Sequence, residues 1–216
     1  MTRSHFPSIR CLLRLAAVSV SACALLLAAN PSAQAAQPAA GDSGGLTVTR
    51  VIDRPNEKIP APAEARSMTS TSEAVTAVGE LPLPAGVTIK TGETVQVNYA
   101  DGVGVYAALS DDCTVSATAS TPKKTSLSYA YGTGQASVSD GCDGAVYGEA
   151  RLYAEYFWLQ DYRGSSVYPG TRVTWPVTKK CKGTASTRWN TTVAINGSGT
   201  IATSKKVTLA CGYSQF

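Results

Sequence analysis

The chain has 216 residues, six cysteines, a single histidine and a formal net charge of +4. With 44% hydrophobic and only 16% charged residues, it is neither a polyelectrolyte nor a disordered chain. Nineteen Lys/Arg against fifteen Asp/Glu give no general drive toward nucleic acid, so no such partner is expected.

Residues 1–35 read as an export signal. Arg3, Arg10 and Arg14 form a positive leader with no acid, Leu15 to Ala29 is an apolar run, and Ala33-Gln34-Ala35 offers a cleavage site. The run is too short for a comfortable membrane span, and no later segment is long and apolar enough to be one. Val20-Ser21-Ala22-Cys23 resembles a lipobox, but the apolar run continues past Cys23, so Cys23 reads as part of the signal, with lipidation there as the alternative, and no transmembrane anchor is expected. Cleavage after Ala35 removes Cys11, Cys23 and His5. It leaves 16 Lys/Arg against 15 Asp/Glu, since the signal holds three arginines. A histidine-free mature chain cannot run Ser-His-Asp or Cys-His chemistry, nor supply imidazoles to a catalytic zinc. The expected location is secreted, extracellular.

Residues 36–80 carry scattered prolines, a glycine cluster and a Ser/Thr-rich run, with few large apolar groups. They read as a mobile linker or propeptide, largely disordered. One interruption, Leu46 to Ile52, has strand composition and is expected to add to the sheet of the main domain. Leu81-Pro82-Leu83-Pro84 marks entry to that domain, residues 81–216, which is long enough for a core of its own.

Inside the domain the dominant period is two. Val95, Val97 and Tyr99 share a face, as do Cys113, Val115, Ala117 and Ala119, then Ala136 and Val138. Gly132-Thr133-Gly134 is a candidate turn. Tyr147 to Tyr162 mixes helix and strand formers and is read as a strand because of its aromatic content and the β context. Val173, Trp175 and Val177 lead to Cys181. Trp189, Thr191, Val193 and Ile195 precede Asn196-Gly197-Ser198-Gly199, a strong hairpin turn, and Val207 and Leu209 lead to Cys211. The expected fold is all-β: an antiparallel β-sandwich, Ig-like or jelly-roll-like, with two disulfides.

The four cysteines of the mature chain lack zinc-knuckle spacing, and in an oxidising compartment they read as disulfides. Three connectivities exist. Cys113–Cys142 and Cys181–Cys211 are favoured because strands near in sequence tend to lie side by side. Each loop is worth about 3–4 kcal/mol in chain entropy.

Three sets of residues bear on function. Asp111, Asp112, Asp140 and Asp143 flank the first expected bridge, either as turn residues or as an oxygen cage for Ca²⁺, and no other cofactor is expected. Tyr153, Tyr156, Trp158, Tyr162 and Tyr168 are the candidate binding surface, while Trp175 and Trp189 suit a core. From Tyr162 onward there are eight bases and no acid, while Asp101 to Asp161 holds eight acids. These halves either face each other or offer a basic surface to a polyanion. Glu149 and Glu155, six apart on one strand, would stand about 20 Å apart, too far for a glycosidase pair. The expectation is a secreted, non-catalytic binding module for an extracellular protein, glycan or cell-wall polymer. The rivals are a carboxylate hydrolase and an envelope-active toxin.

Overall fold

A computed structural model of the chain describes residues 47–60, 72–155 and 157–215. The expected export signal lies outside these residues, as do 36–46 and 61–71 of the expected linker. All regular structure among the described residues is β.

Thirteen strands follow in order: β1 (Arg50–Arg54), β2 (Val75–Val78), β3 (Thr94–Tyr99), β4 (Gly102–Ala108), β5 (Thr114–Ser120), β6 (Lys123–Lys124), β7 (Tyr129–Val138), β8 (Val146–Ala154), β9 (Trp158–Val167), β10 (Thr171–Lys180), β11 (Ser186–Ile195), β12 (Thr200–Thr203) and β13 (Val207–Ala210). They form a β-sandwich. The larger sheet runs β1-β3-β4-β5-β7-β10-β2, with β6 also on β7. The smaller runs β12-β11-β8-β9, with β13 also on β11. Every pairing is antiparallel except β1 on β3, which is parallel.

The sheet begins before Leu81, inside the stretch read as a linker. The end of the LTVTRVI interruption, Arg50 to Ile52, opens β1, which runs on to Arg54, and Val75–Val78 adds an edge strand against Thr171–Thr174 of β10. Both are short strands at sheet edges, where neighbours supply the stability that local composition lacks.

Each sheet is organised round one ten-residue strand, β7 or β11, whose far side is lined by two short strands in succession. In the larger sheet β5 stops at Ser120, and Pro122, which has no N–H to give the ladder, forces a bend before β6 resumes. The Thr133 N–H left over at the bend donates to Ser120 Oγ at 2.7 Å. In the smaller sheet β12 and β13 break around Ser204, and the Thr191 N–H donates to Ser204 Oγ at 2.9 Å. A serine hydroxyl thus replaces a missing carbonyl at both breaks.

Gly132 and Gly134 lie mid-strand in β7 and not in a turn. A Cβ on Gly134 would stand 2.5 Å from both Ala150 Cβ and Val193 Cγ2 of the other sheet, and one on Gly132 would meet Thr191 Oγ1. The two glycines let the central strands approach closely, which is what glycine inside a strand commonly marks. Around this contact packs the main core: Val103, Val105 and Val115 from one sheet, Leu152, Val193 and Ile195 from the other, and Trp175 and Trp189 fully buried. The indoles are satisfied, Trp189 Nε1 donating to the Cys211 carbonyl and Trp175 Nε1 to Ser165 Oγ. Val95, Val97 and Tyr99 share a face as expected. They build a second, smaller cluster with Tyr106, Val87 and Ile59 on the outward side of the larger sheet.

The bridges are Cys113–Cys142 and Cys181–Cys211. The first ties the turn before β5 to the connection after β7, its neighbour in the sheet. The second ties the end of β10 to the end of β13, joining the two sheets. Both sit at the rim of the core, with only Cys211 fully buried.

Candidate functional site

The segment from Tyr147 to Tyr162 is two strands and not one. β8 ends at Ala154, and Glu155 turns the chain in the left-handed region (φ 47°) before β9 starts at Trp158. The turn is held from a distance. The Arg188 N–H donates to Glu155 Oε1 at 3.0 Å, and its guanidinium Nη2 donates to Oε2 at 3.0 Å. The Arg188 N–H, then its guanidinium, hold the Glu155 carboxyl below its usual range. Glu149 and Glu155 therefore occupy a strand and a turn, each engaged by an arginine.

The hairpin's register decides which side chains share a surface. Tyr147, Glu149, Arg151 and Tyr153 alternate with core residues along β8. The pairing Arg151↔Tyr162 and Glu149↔Gly164 sets Tyr162 and Gly164 beside them on the outward side. A register shift at Leu152/Tyr153 brings Leu159 opposite Tyr153. On the other flank, Asn190, Thr192 and Ala194 of β11 pair with Tyr153, Arg151 and Glu149, and Ile201 of β12 pairs with Ala194. The outward face of the smaller sheet is thus a plane of tyrosines and aliphatic groups round a charged centre. Leu159, Ile201 and Tyr162 are 50%, 53% and 55% exposed, and Tyr147 is 40% exposed.

Gly164 shapes this plane. A Cβ there would lie 2.4 Å from Tyr147 Oη and 2.8 Å from its Cζ, so the end of the Tyr147 ring rests where a side chain would stand. The ring leans across β9 so that its hydroxyl end lies over Gly164 and near Tyr162. Partial burial, then the neighbouring Tyr162, push the Tyr147 hydroxyl pKa up. At the centre Glu149, 8% exposed, accepts from Arg151 Nη2. Arg151 Nη1 also donates to Tyr153 Oη at 3.3 Å. Buried charge is tolerable only when paired and hydrogen-bonded, and this pair meets that condition.

Of the expected binding aromatics, Tyr153 and Tyr162 lie in this plane. Trp158 points the other way, half-buried against the main core, because its partner Ala154 faces inward. Tyr168 is exposed in the β9–β10 turn, beyond the strands that carry the plane. Tyr156 lies outside the described residues. Tyr147 was missing from the expected set, although its alternation with Tyr153 along one strand was readable.

The four aspartates are all exposed and sit in turns. Asp111 accepts from the Thr91 hydroxyl, and Asp140 lies against Gly170. The Cys113–Cys142 bridge brings them to one end of the sandwich. Among the described residues, however, no group of three or more His, Cys, Asp or Glu is arranged to hold a metal.

The late bases meet the earlier acids in part. Arg188 pairs with Glu155, and Arg163 Nε lies 4.0 Å from Asp161. Asp161 Oδ2 also accepts from the Thr178 N–H at 2.7 Å, capping the edge of β10 that β2 leaves uncovered. No helix among the described residues is long and apolar enough to cross a membrane. Comparison with protein-family models, curated proteins and solved structures returns no match for this chain.

Proposed function

We propose that this protein is a secreted, non-catalytic binding module that holds a glycan or cell-wall polysaccharide against the outward face of its smaller sheet. The observation that carries the reading is the Tyr147–Gly164–Tyr162 arrangement. A glycine on one strand lets the end of a tyrosine ring from the next lean over it, beside a second tyrosine that is more than half exposed. Sugar rings have apolar C–H faces and hydroxyl rims, and amphipathic aromatic rings match both. The Arg151–Glu149 pair and the Thr192 and Thr203 hydroxyls supply donors and acceptors beside the rings. Neither the cavity beside β7 nor the one beside β1 is lined by residues of this plane, and its open surface suits a long flat ligand better than a small enclosed one.

Secretion rests on the positive leader, apolar run and cleavage site of the first 35 residues, together with two disulfides of the kind that persist outside reducing compartments. The non-catalytic character rests on the loss of histidine at cleavage and on the pairing of Glu149 and Glu155 with arginines. The test is co-sedimentation of residues 36–216 with insoluble polysaccharides and purified cell-wall polymer. Retention that falls at least tenfold in Tyr147→Ala/Tyr162→Ala supports the proposal. Absence of retention, retention indifferent to the double substitution, or polymer hydrolysis that disappears in Glu149→Gln would each refute it.

A further inference from the structure

The larger sheet carries a second, unrelated site on its own outward face. The bend at Thr121-Pro122 that separates β5 from β6 leaves a cavity of about 230 Å³ beside β7, lined by Ile59, Asp101, Ser120, Lys123, Tyr131 and Gln135. Its wall is fixed by two hydrogen bonds of Asp101, whose Oδ1 accepts from the Ile59 N–H at 2.8 Å and whose carbonyl accepts from the Thr121 N–H at 2.7 Å. On another side Lys123 Nζ stands 5.8 Å from the centre of the Tyr131 ring. Gln135 is 4% exposed, and its Oε1 has no hydrogen-bond partner. Thr118, directly across the ladder from Gln135, has an equally buried and unpartnered Oγ1. Thr118 does not itself line the cavity, but Gln135 does, and buried polar groups are nearly always satisfied, so its unpaired Oε1 at the cavity wall points to something that donates to it.

The chemistry of that donor follows from the lining. Gln135 Oε1 and the Asp101 carboxylate only accept, Lys123 only donates, and Ser120 does both. An anion would satisfy Lys123 but face two acceptors, and an ammonium would satisfy the acceptors but face Lys123. Hydroxyl groups serve all of them, each donating and accepting. The Tyr131 ring and Ile59 offer apolar contact between these polar groups. The volume lies below the roughly 300–1,000 Å³ of pockets for drug-sized ligands, so the room is for one ring and not a chain.

We infer that this cavity binds a single neutral sugar ring, either a free monosaccharide or the terminal residue of a glycan. The site stands on the opposite sheet from the tyrosine plane and does not depend on it.

The experiment is ligand-observed NMR and calorimetric titration of residues 36–216 with D-glucose, D-galactose, D-mannose and N-acetylglucosamine, with inorganic phosphate and methylamine as charged probes. Each sugar is also presented as the non-reducing end of a tetrasaccharide. Saturable binding of at least one sugar is expected, weakened at least tenfold by Gln135→Met and about threefold by Lys123→Ala, and unchanged by Tyr147→Ala/Tyr162→Ala. Binding to the free sugar alone or equally to the tetrasaccharide end distinguishes the two sources within the proposal. Lys123 is exposed, so its variant folds even where Gln135→Met does not. No saturable binding of any sugar overturns the inference. So does preference for phosphate or methylamine, indifference to both substitutions, or a crystal structure of the sugar-soaked protein with only ordered water on Gln135 Oε1.

Discussion

Substituting Gly134 by alanine tests the sheet-to-sheet contact on which the fold turns. The added Cβ would stand 2.5 Å from Ala150 Cβ and 2.5 Å from Val193 Cγ2. Carbon atoms pack best at about 3.5–4.0 Å, so both contacts are short by at least about 1 Å. Ala150 has no rotamer to change, and Val193 is fully buried, so neither neighbour can swing into open space. β7 must instead move away from β8 and β11. Overpacking of this kind costs about 1–3 kcal/mol, partly offset by the loss of chain entropy that Gly→Ala brings to the unfolded state. A net loss of about 2 kcal/mol is expected, which for a chain of this size lowers Tm by about 4–8 °C. Urea unfolding is the assay: the midpoint should fall with the slope unchanged. Gly144→Ala is the control, since nothing lies within 4 Å of its added carbon, and it should be neutral or slightly stabilising. A Gly134→Ala protein within about 0.5 kcal/mol of the parent would refute the close-approach account.

Two further predictions concern bridges and pH. The double substitutions Cys113→Ala/Cys142→Ala and Cys181→Ala/Cys211→Ala open loops of 29 and 30 residues. Chain entropy assigns each a loss of about 3.6 kcal/mol. Thermal unfolding should show two similar falls, and a loss under about 1 kcal/mol for either would contradict the chain-entropy reading. Tyr99 and Tyr106 share a buried hydrogen bond at 2.9 Å, and burial pushes both hydroxyl pKa values upward. The folded pKa values lie above the unfolded value near 10, so this stability is fully present below about pH 10 and is lost as pH rises beyond it. Chemical unfolding between pH 8 and 11.5 should show a decline of up to about 1.4 kcal/mol per pH unit for each tyrosine, absent from Tyr99→Phe/Tyr106→Phe. A decline of the same steepness in that double variant would place its origin elsewhere.

The period-two alternation made the buried faces of the strands readable, and with them the burial of Trp175 and Trp189. The cysteine pairing was read instead from nearness in sequence, which gave the right partners although Cys181–Cys211 joins strands of different sheets. The Asn196-Gly197-Ser198-Gly199 turn was equally plain, because Gly197 and Gly199 take positive φ. What escaped depended on partners distant in sequence. The turn at Glu155 contains no glycine, asparagine or proline. It is fixed by Arg188, thirty-three residues later, so a hairpin read as one strand. Gly132 and Gly134 carry the same letters as a turn, and only Ala150, Thr191 and Val193 across the core reveal them as contact points. The tyrosine plane was half legible. Alternation put Tyr147 with Tyr153, but bringing Tyr162 to their side and turning Trp158 away required the β8–β9 register and its shift. The aspartates near Cys113 and Cys142 were rightly grouped at one end, yet as turn residues they point outward and do not converge on one centre.

The central claim is that a flat tyrosine plane holds a polysaccharide, and Gly164→Ala tests it most directly. The nearest atoms to the added carbon are the movable end of the Tyr147 ring and, at 3.0 Å, the Gly148 carbonyl, so the ring must lift while the backbone gives by a few tenths of an ångström. Co-sedimentation with the retained polysaccharide and a melting curve should be recorded on the same preparation. The account predicts binding at least fivefold weaker with Tm within about 2 °C of the parent, a shift of no more than about 1 kcal/mol. Unchanged binding, or weakened binding that merely tracks a fall in Tm, would contradict it.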